Sequence, residues 1–188
     1  MVKSKDDTLR KYREEDDAKK FIIAQLSDRF KFWLEVNAVG MDGDKLRIDA
    51  VSLCTETGWY FGWEFKKSHL YKSEFAYVMR QAINYRLARI QDSRISDIQG
   101  SRLRAIAVFP DWLGEHDEDD TNYGKEAEGM RLLAAQFRVG TMREREDGRL
   151  SFIMGQNGIW HSTTGWTKTA PGIMDGERSI GSQRRKDK

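Results

Sequence analysis

The run Lys45-Leu-Arg-Ile-Asp-Ala-Val-Ser-Leu-Cys54, followed across Thr55-Glu-Thr-Gly58 by Trp59-Tyr-Phe-Gly-Trp-Glu-Phe-Lys-Lys67, decides how the chain folds. Both runs are rich in β-branched, aliphatic and aromatic residues, and a turn-forming segment joins them, which predicts two antiparallel strands. Asp49, Glu64 and Lys66 interrupt this apolar pattern. Burying an unpaired charge is costly, and a divalent cation is one of the few partners that can hold two carboxylates together. Glu64 and Lys66 are two residues apart, so a strand points both to one face. Asp49 lies on the neighbouring strand. A carboxylate pair beside an ammonium suits metal-assisted phosphodiester hydrolysis.

Working outward, Phe30–Val39 reads as a strand and Gly40–Asp44 as its turn, with Asp42-Gly43 as a hairpin signal. Upstream, residues 7–27 read as a helix capped by Thr8, with Tyr12, Ala18, Ile22 and Leu26 on one stripe. Glu15 falls on that stripe and Glu14 at its edge. Either is a candidate acid for the site, and Glu15 is preferred. Downstream, Leu70–Ile90 reads as a helix with apolar Phe75, Val78, Met79, Ala82, Ile83 and Leu87. Leu103–Phe109 reads as a short buried strand ended by Pro110-Asp111. The predicted order is helix, three strands, helix, strand.

Asp49, fourteen residues, and Glu64-Phe65-Lys66 together resemble the PD-(D/E)xK nuclease signature. Ile48 stands where the name-giving proline would be. Gln81-Ala-Ile-Asn-Tyr85 resembles the QxxxY motif of the RecB-like and Cas4-like branch of that superfamily. The resemblance spans about residues 9–110. The acidic-x-Lys triplet alone is weak, since Asp17-Ala-Lys19 also fits it from a polar helix and is set aside.

The resemblance implies an α/β fold with an αβββαβ restriction-endonuclease-like core, its mixed central sheet flanked by helices. It implies a nuclease that needs Mg²⁺ or Mn²⁺ and hydrolyses DNA in recombination, repair or processing, in a phage or mobile-element setting. Asp49, Glu64, the Phe65 backbone carbonyl and Glu15 would bind metal. Lys66 would position or help deprotonate a water, while Gln81 and Tyr85 would hold the substrate backbone or the lysine. DNA is the implied partner, other replication or recombination proteins could join it, and a homodimer is left open. Two further readings stay open: a catalytically silent nuclease fold used for binding DNA or protein, and an RNA-cleaving enzyme.

Composition bounds these readings. A chain of 188 residues suits one domain, here residues 1–167, with a core at about 7–110 and a helix and β extension at about 122–166. The net charge of +2 does not by itself announce a polyanion partner. Lys72, Arg80, Arg86, Arg89, Arg94, Arg102 and Arg104 nevertheless cluster around the second helix, as candidates for phosphate contacts that give affinity without sequence readout. The single cysteine, Cys54, permits no disulfide within the chain and excludes a four-cysteine iron–sulfur cluster, which some QxxxY nucleases carry. With no signal-like or membrane-spanning run, the expectation is a cytoplasmic protein of a bacterial or phage-infected cell, with no membrane partner.

The remaining segments carry less. Residues 114–124 read as an acidic solvated loop, and Glu126–Phe137 as a helix. A C-terminal β meander follows at Val139–Glu146, Leu150–Met154 and Ile159–Thr163, with turns at Asp147-Gly148 and Asn157-Gly158. Residues 168–188 read as a disordered basic tail. His69, His116 and His161 lack metal-ligand spacing, and no Gly-rich phosphate loop is present.

Overall fold

Strands apolar at successive positions, such as Ala105–Phe109 (AIAVF), need a partner layer on each face, and a sheet between helices supplies it. The computed structural model describes residues 12–67, 72–111 and 121–168, without the side chains of 72–73 and 121–127. Among these residues the elements run α1 (Glu15–Leu26), β1 (Phe30–Val39), β2 (Lys45–Cys54), β3 (Tyr60–Phe65), α2 (Lys72–Leu87), β4 (Arg89–Ile90) and β5 (Ala105–Phe109). They continue with α3 (Thr121–Gln136), β6 (Val139–Glu144), β7 (Leu150–Met154), β8 (Asn157–His161) and β9 (Gly165–Trp166). All the strands join one sheet, in the order β4-β1-β2-β3-β5-β6-β7-β8-β9. The steps β3–β5 and β5–β6 are parallel and the others antiparallel. The fold is therefore α/β with a mixed open sheet and helices. No helix among the described residues is long and apolar enough to cross a membrane.

The helix before the sheet is shorter than its sequence pattern. It begins at Glu15, with Glu14 as the N-cap, and the Asp17 carboxylate accepts the Glu14 N–H at 3.2 Å. Tyr12 precedes the helix but is buried, like Ala18, Ile22 and Leu26 on its stripe. Thr8, the expected cap, lies outside the described residues, as do most of the acidic loop and positions 169–188. Helix α2 stops at Leu87, because Arg89–Ile90 leave it to pair with Val39 and Ala38 at the sheet edge. This edge strand, and the 3₁₀ segment Ser93–Ile98 after it, have no counterpart in the sequence reading.

Two cores flank the sheet. On one face α1 packs over Phe61, Trp63, Phe65, Ala107 and Phe109. On the other, α2 and α3 cover Val36, Ala38, Ile48, Val51, Ile106, Val108 and Val139. Gly62 sits in the second core because a Cβ there would lie 2.5 Å from Ile106 Cδ1 and 2.7 Å from Leu103 Cδ1. Inside the first core the Trp63 indole donates to Ser52 Oγ at 2.8 Å.

The C-terminal meander extends the sheet and then curls over the α1-side face. Trp166 of β9 stacks on Phe61 of β3 at 5.4 Å, and Trp160 of β8 meets Phe30 of β1 edge-on at 5.7 Å. The turn between β7 and β8 is Gly155-Gln156, with Gly155 at φ +60, so the expected turn at Asn157-Gly158 was placed too late and those residues open β8. A local chain reversal needs the left-handed residue, and Gly155 supplies it without a Cβ penalty.

Candidate active site

The site forms where β2 and β3 part company. Their pairing runs from Leu53↔Tyr60 to Ala50↔Trp63 and ends there. Beyond it the Phe65 N–H donates to Asp49 Oδ2 at 2.9 Å, so a side chain takes the place of the next ladder bond. Asp49 reaches this gap because the sheet changes face beside it. Phe30 and Phe32 of β1 pack on the α1 side, yet Val36 and Ala38 lie on the α2 side. Likewise Ala50 and Cys54 of β2 belong to the α1-side core and Ile48 to the other. An uninterrupted strand keeps residues two apart on one face. The switch falls at Glu35 and Asp49, between the pairs Leu34↔Ala50 and Val36↔Ile48, where Glu35 has a left-handed φ of +50.

Glu64 follows from β3. Its side chain is fully buried on the α2 face, and it sits in register with Val108. Lys66 lies one residue beyond the strand, anchored by its N–H to the Phe109 carbonyl at 2.9 Å. Its ammonium is 2.6 Å from Glu64 Oε1 and 3.1 Å from Glu15 Oε1. The register of α1 thus selects Glu15, not Glu14, for the site. Glu15 reaches the carboxylate pair through Lys66, and its own side chain is 53% exposed. Among the described residues no three carboxylate, imidazole or thiolate side chains converge as a ready-made ligand set.

Helix α2 brings the remaining pair. Gln81 Nε2 donates to the Tyr85 hydroxyl at 2.7 Å. Tyr85 is buried against the carboxylates. Burial first, then the charge of Glu64 and of Asp49, pushes its phenol well above the ordinary range. The pair therefore addresses the carboxylates, not the lysine.

The electrostatics describe a site short of positive partners. Burial, then Asp49, raises the Glu64 carboxyl from 4.5 to about 7. Burial likewise raises Asp49, and the Phe65 N–H and Lys66 only partly offset it. For Lys66 burial acts to lower the pKa, but Glu64 and Glu15 outweigh it and hold the ammonium protonated. Neither Glu64 oxygen accepts a hydrogen bond of good geometry, apart from the Lys66 ion contact and the nearby phenol. A buried carboxylate with so few donors for two oxygens is destabilising. Carboxylate and carbonyl oxygens suit Mg²⁺ or Mn²⁺, so the donor set fits such an ion.

Sequence reasoning missed two neighbours. Lys19, set aside with the Asp17-Ala-Lys19 triplet, contacts Glu35 at 3.3 Å and Asp16 at 3.4 Å, and its charge is felt at Asp49. Its signal was its place four residues after Glu15, on the same helix face. Glu35 also pairs with Arg47 at 2.8 Å. Several basic candidates for phosphate contacts are engaged within the protein. Arg89 donates to the Gly100 carbonyl at 2.8 Å and Arg102 to that of Leu87 at 3.1 Å. Arg94 is held by Asp92 at 2.7 Å. Arg80 is exposed and lies over the Tyr77 ring at 5.3 Å. Cys54 is a buried core residue.

Compared with known proteins, the chain matches no family model, no curated protein and no solved structure.

Proposed function

We propose that this protein is a metal-dependent nuclease hydrolysing DNA phosphodiester bonds, with a restriction-endonuclease-like αβββαβ core. One observation carries the reading. The fully buried Glu64 carboxylate lies beside Asp49, and its partners among the described residues are the Lys66 ammonium, 2.6 Å away and one residue beyond the strand, and the Tyr85 phenol. Asp49, Glu64 and the Phe65 carbonyl would hold Mg²⁺ or Mn²⁺. Extended backbone turns that carbonyl to the same side as the Phe65 N–H, which faces Asp49. The ion, when bound, supplies a water of lowered pKa and neutralises phosphate charge.

The protein's own groups divide the rest. Lys66 is kept protonated by two carboxylates, which suits it to orient the attacking water and offset charge in the transition state, not to take a proton. Glu15 fixes the ammonium from α1. Tyr85, steadied by Gln81, braces the Glu64 carboxylate from α2. DNA is the expected substrate, with replication or recombination proteins as working partners.

The test is cleavage of single-stranded DNA, duplex DNA and RNA with Mg²⁺, with Mn²⁺ and with EDTA. The expected result is DNA cleavage with either ion and none in EDTA. Undiminished cleavage in EDTA refutes the assignment of the site.

A further inference from the structure

The turn that puts Asp49 into the site is held from behind by a separate polar assembly. β4 continues past Ile90 alongside β1, the Gln91 N–H donating to the Asn37 carbonyl at 2.9 Å. There the ladder stops and two side chains replace it. Asp92 is 4% exposed, and its Oδ2 accepts the Asn37 N–H at 3.1 Å. Arg94 binds the same carboxylate through Nη2 at 2.7 Å and through Nε to Oδ1 at 2.9 Å. That Nη2 also donates to the carbonyls of Leu34 at 3.0 Å and Glu35 at 2.9 Å. One guanidinium therefore grips the two carbonyls flanking the Cα of the left-handed residue, while its own position is set by a buried carboxylate.

A non-glycine residue at φ +50 persists where its surroundings over-determine it. Here the reward lies across the strand pair. The face change at Glu35 is matched by the face change at Asp49, which turns that carboxylate toward Phe65 and Glu64. Glu35 itself is carried to Lys19 of α1. We propose that Arg94, gripped by Asp92, is a positioning residue for the metal-binding carboxylates: it holds the left-handed turn of β1 that aims Asp49. The inference rests on the metal-dependent reading of the site. It assigns Arg94 a role other than the phosphate contact that its neighbourhood in the sequence suggests.

The test measures Mn²⁺ affinity in the absence of DNA, by electron paramagnetic resonance, together with single-turnover cleavage at saturating Mn²⁺ and DNA affinity in EDTA. R94A should bind Mn²⁺ about 10- to 100-fold more weakly, as losses of partners behind metal ligands do. Its DNA affinity should stay within about twofold, since a lost phosphate contact is what would lower that affinity. R94K keeps the charge but not the fork, and should recover only part of the loss. The decisive arm is the glycine background, because glycine adopts φ +50 without a clamp. In E35G the R94A penalty on Mn²⁺ affinity should shrink several-fold, and a merely structural arginine would not show this coupling. The proposal is overturned if R94A binds Mn²⁺ like the wild type, if it loses DNA affinity alone, or if its penalty is the same with glycine at 35. If R94A does not fold, R94K with and without E35G decides by the same coupling. Failure of the nuclease reading would look different, since the wild type itself would then bind no Mn²⁺.

Discussion

Replacing Glu64 with glutamine removes one charge from the interior and almost nothing from its shape. The carboxyl has an ordinary value of 4.5 and a folded value of about 7, raised chiefly by burial and then by Asp49. A raised carboxyl stabilises the fold fully below its unfolded pKa, and that stability is lost as pH rises through the folded one. The wild type should therefore lose stability between pH 4.5 and about pH 7, at about 1.4 kcal/mol per pH unit, or about 3 kcal/mol in all. E64Q has no such group. It also forfeits the 2.6 Å contact with Lys66, whose charge-dependent part is already contained in the folded value of about 7. Urea unfolding followed by tryptophan fluorescence, in EDTA, compares the two proteins at pH 4.5 and pH 8. The stability of E64Q relative to wild type should become about 3 kcal/mol more favourable at the higher pH. Adding Mg²⁺ at ten times its dissociation constant should return about 1.4 kcal/mol to the wild type and nothing to E64Q. Parallel pH profiles for the two proteins would refute the buried, donor-poor carboxylate on which the functional reading rests.

K66A should lower single-turnover cleavage by at least about 100-fold while leaving DNA affinity by gel shift within about twofold, because the lysine is assigned to the transition state. Normal cleavage by a folded K66A protein would remove it from the mechanism. Y85F deletes the phenol beside Glu64 and should weaken Mn²⁺ binding about 10-fold without altering DNA affinity. An unchanged Mn²⁺ titration would leave Tyr85 a core residue only. G140A brings a methyl group onto the Ile153 carbonyl, a main-chain atom that cannot yield cheaply, and should cost about 1–3 kcal/mol in urea unfolding. Stability within about 0.5 kcal/mol of wild type would show that β6 and β7 can separate there.

The meander β1–β3 was legible because hydrophobic alternation and turn chemistry agree, and Asp49, Glu64 and Lys66 stood out as charges within it. The register of α1 was legible too, since burial of the Ala18, Ile22 and Leu26 stripe leaves Glu15 at the sheet end within 3.1 Å of Lys66. What escaped was whatever depends on a break in periodicity. Nothing in the string Trp33-Leu-Glu-Val36 announces that both strands change face at Glu35 and Asp49, because a glutamate at positive φ carries no local signature. β4 was absorbed into the helix before it, since Arg89-Ile90 continues a helical apolar stripe and its strand state comes from tertiary pairing with Ala38 and Val39. The main-chain carbonyls that Arg89, Arg94 and Arg102 bind lie 11, 60 and 15 residues away in sequence, which composition cannot reveal.

The curl of the last strands over the sheet bears on how separable the site is. Phe61 and Trp63 share β3 with Glu64, Phe30 lies on β1 beside the strand of Asp49, and Trp160 and Trp166 roof them from more than ninety positions later in the chain. A fragment ending near residue 110 would keep every candidate side chain and leave that aromatic floor open to water. Chemistry and shelter are thus written in different halves of the polypeptide. The first half could not be grafted, trimmed or recombined as an independent module without another lid of matching shape.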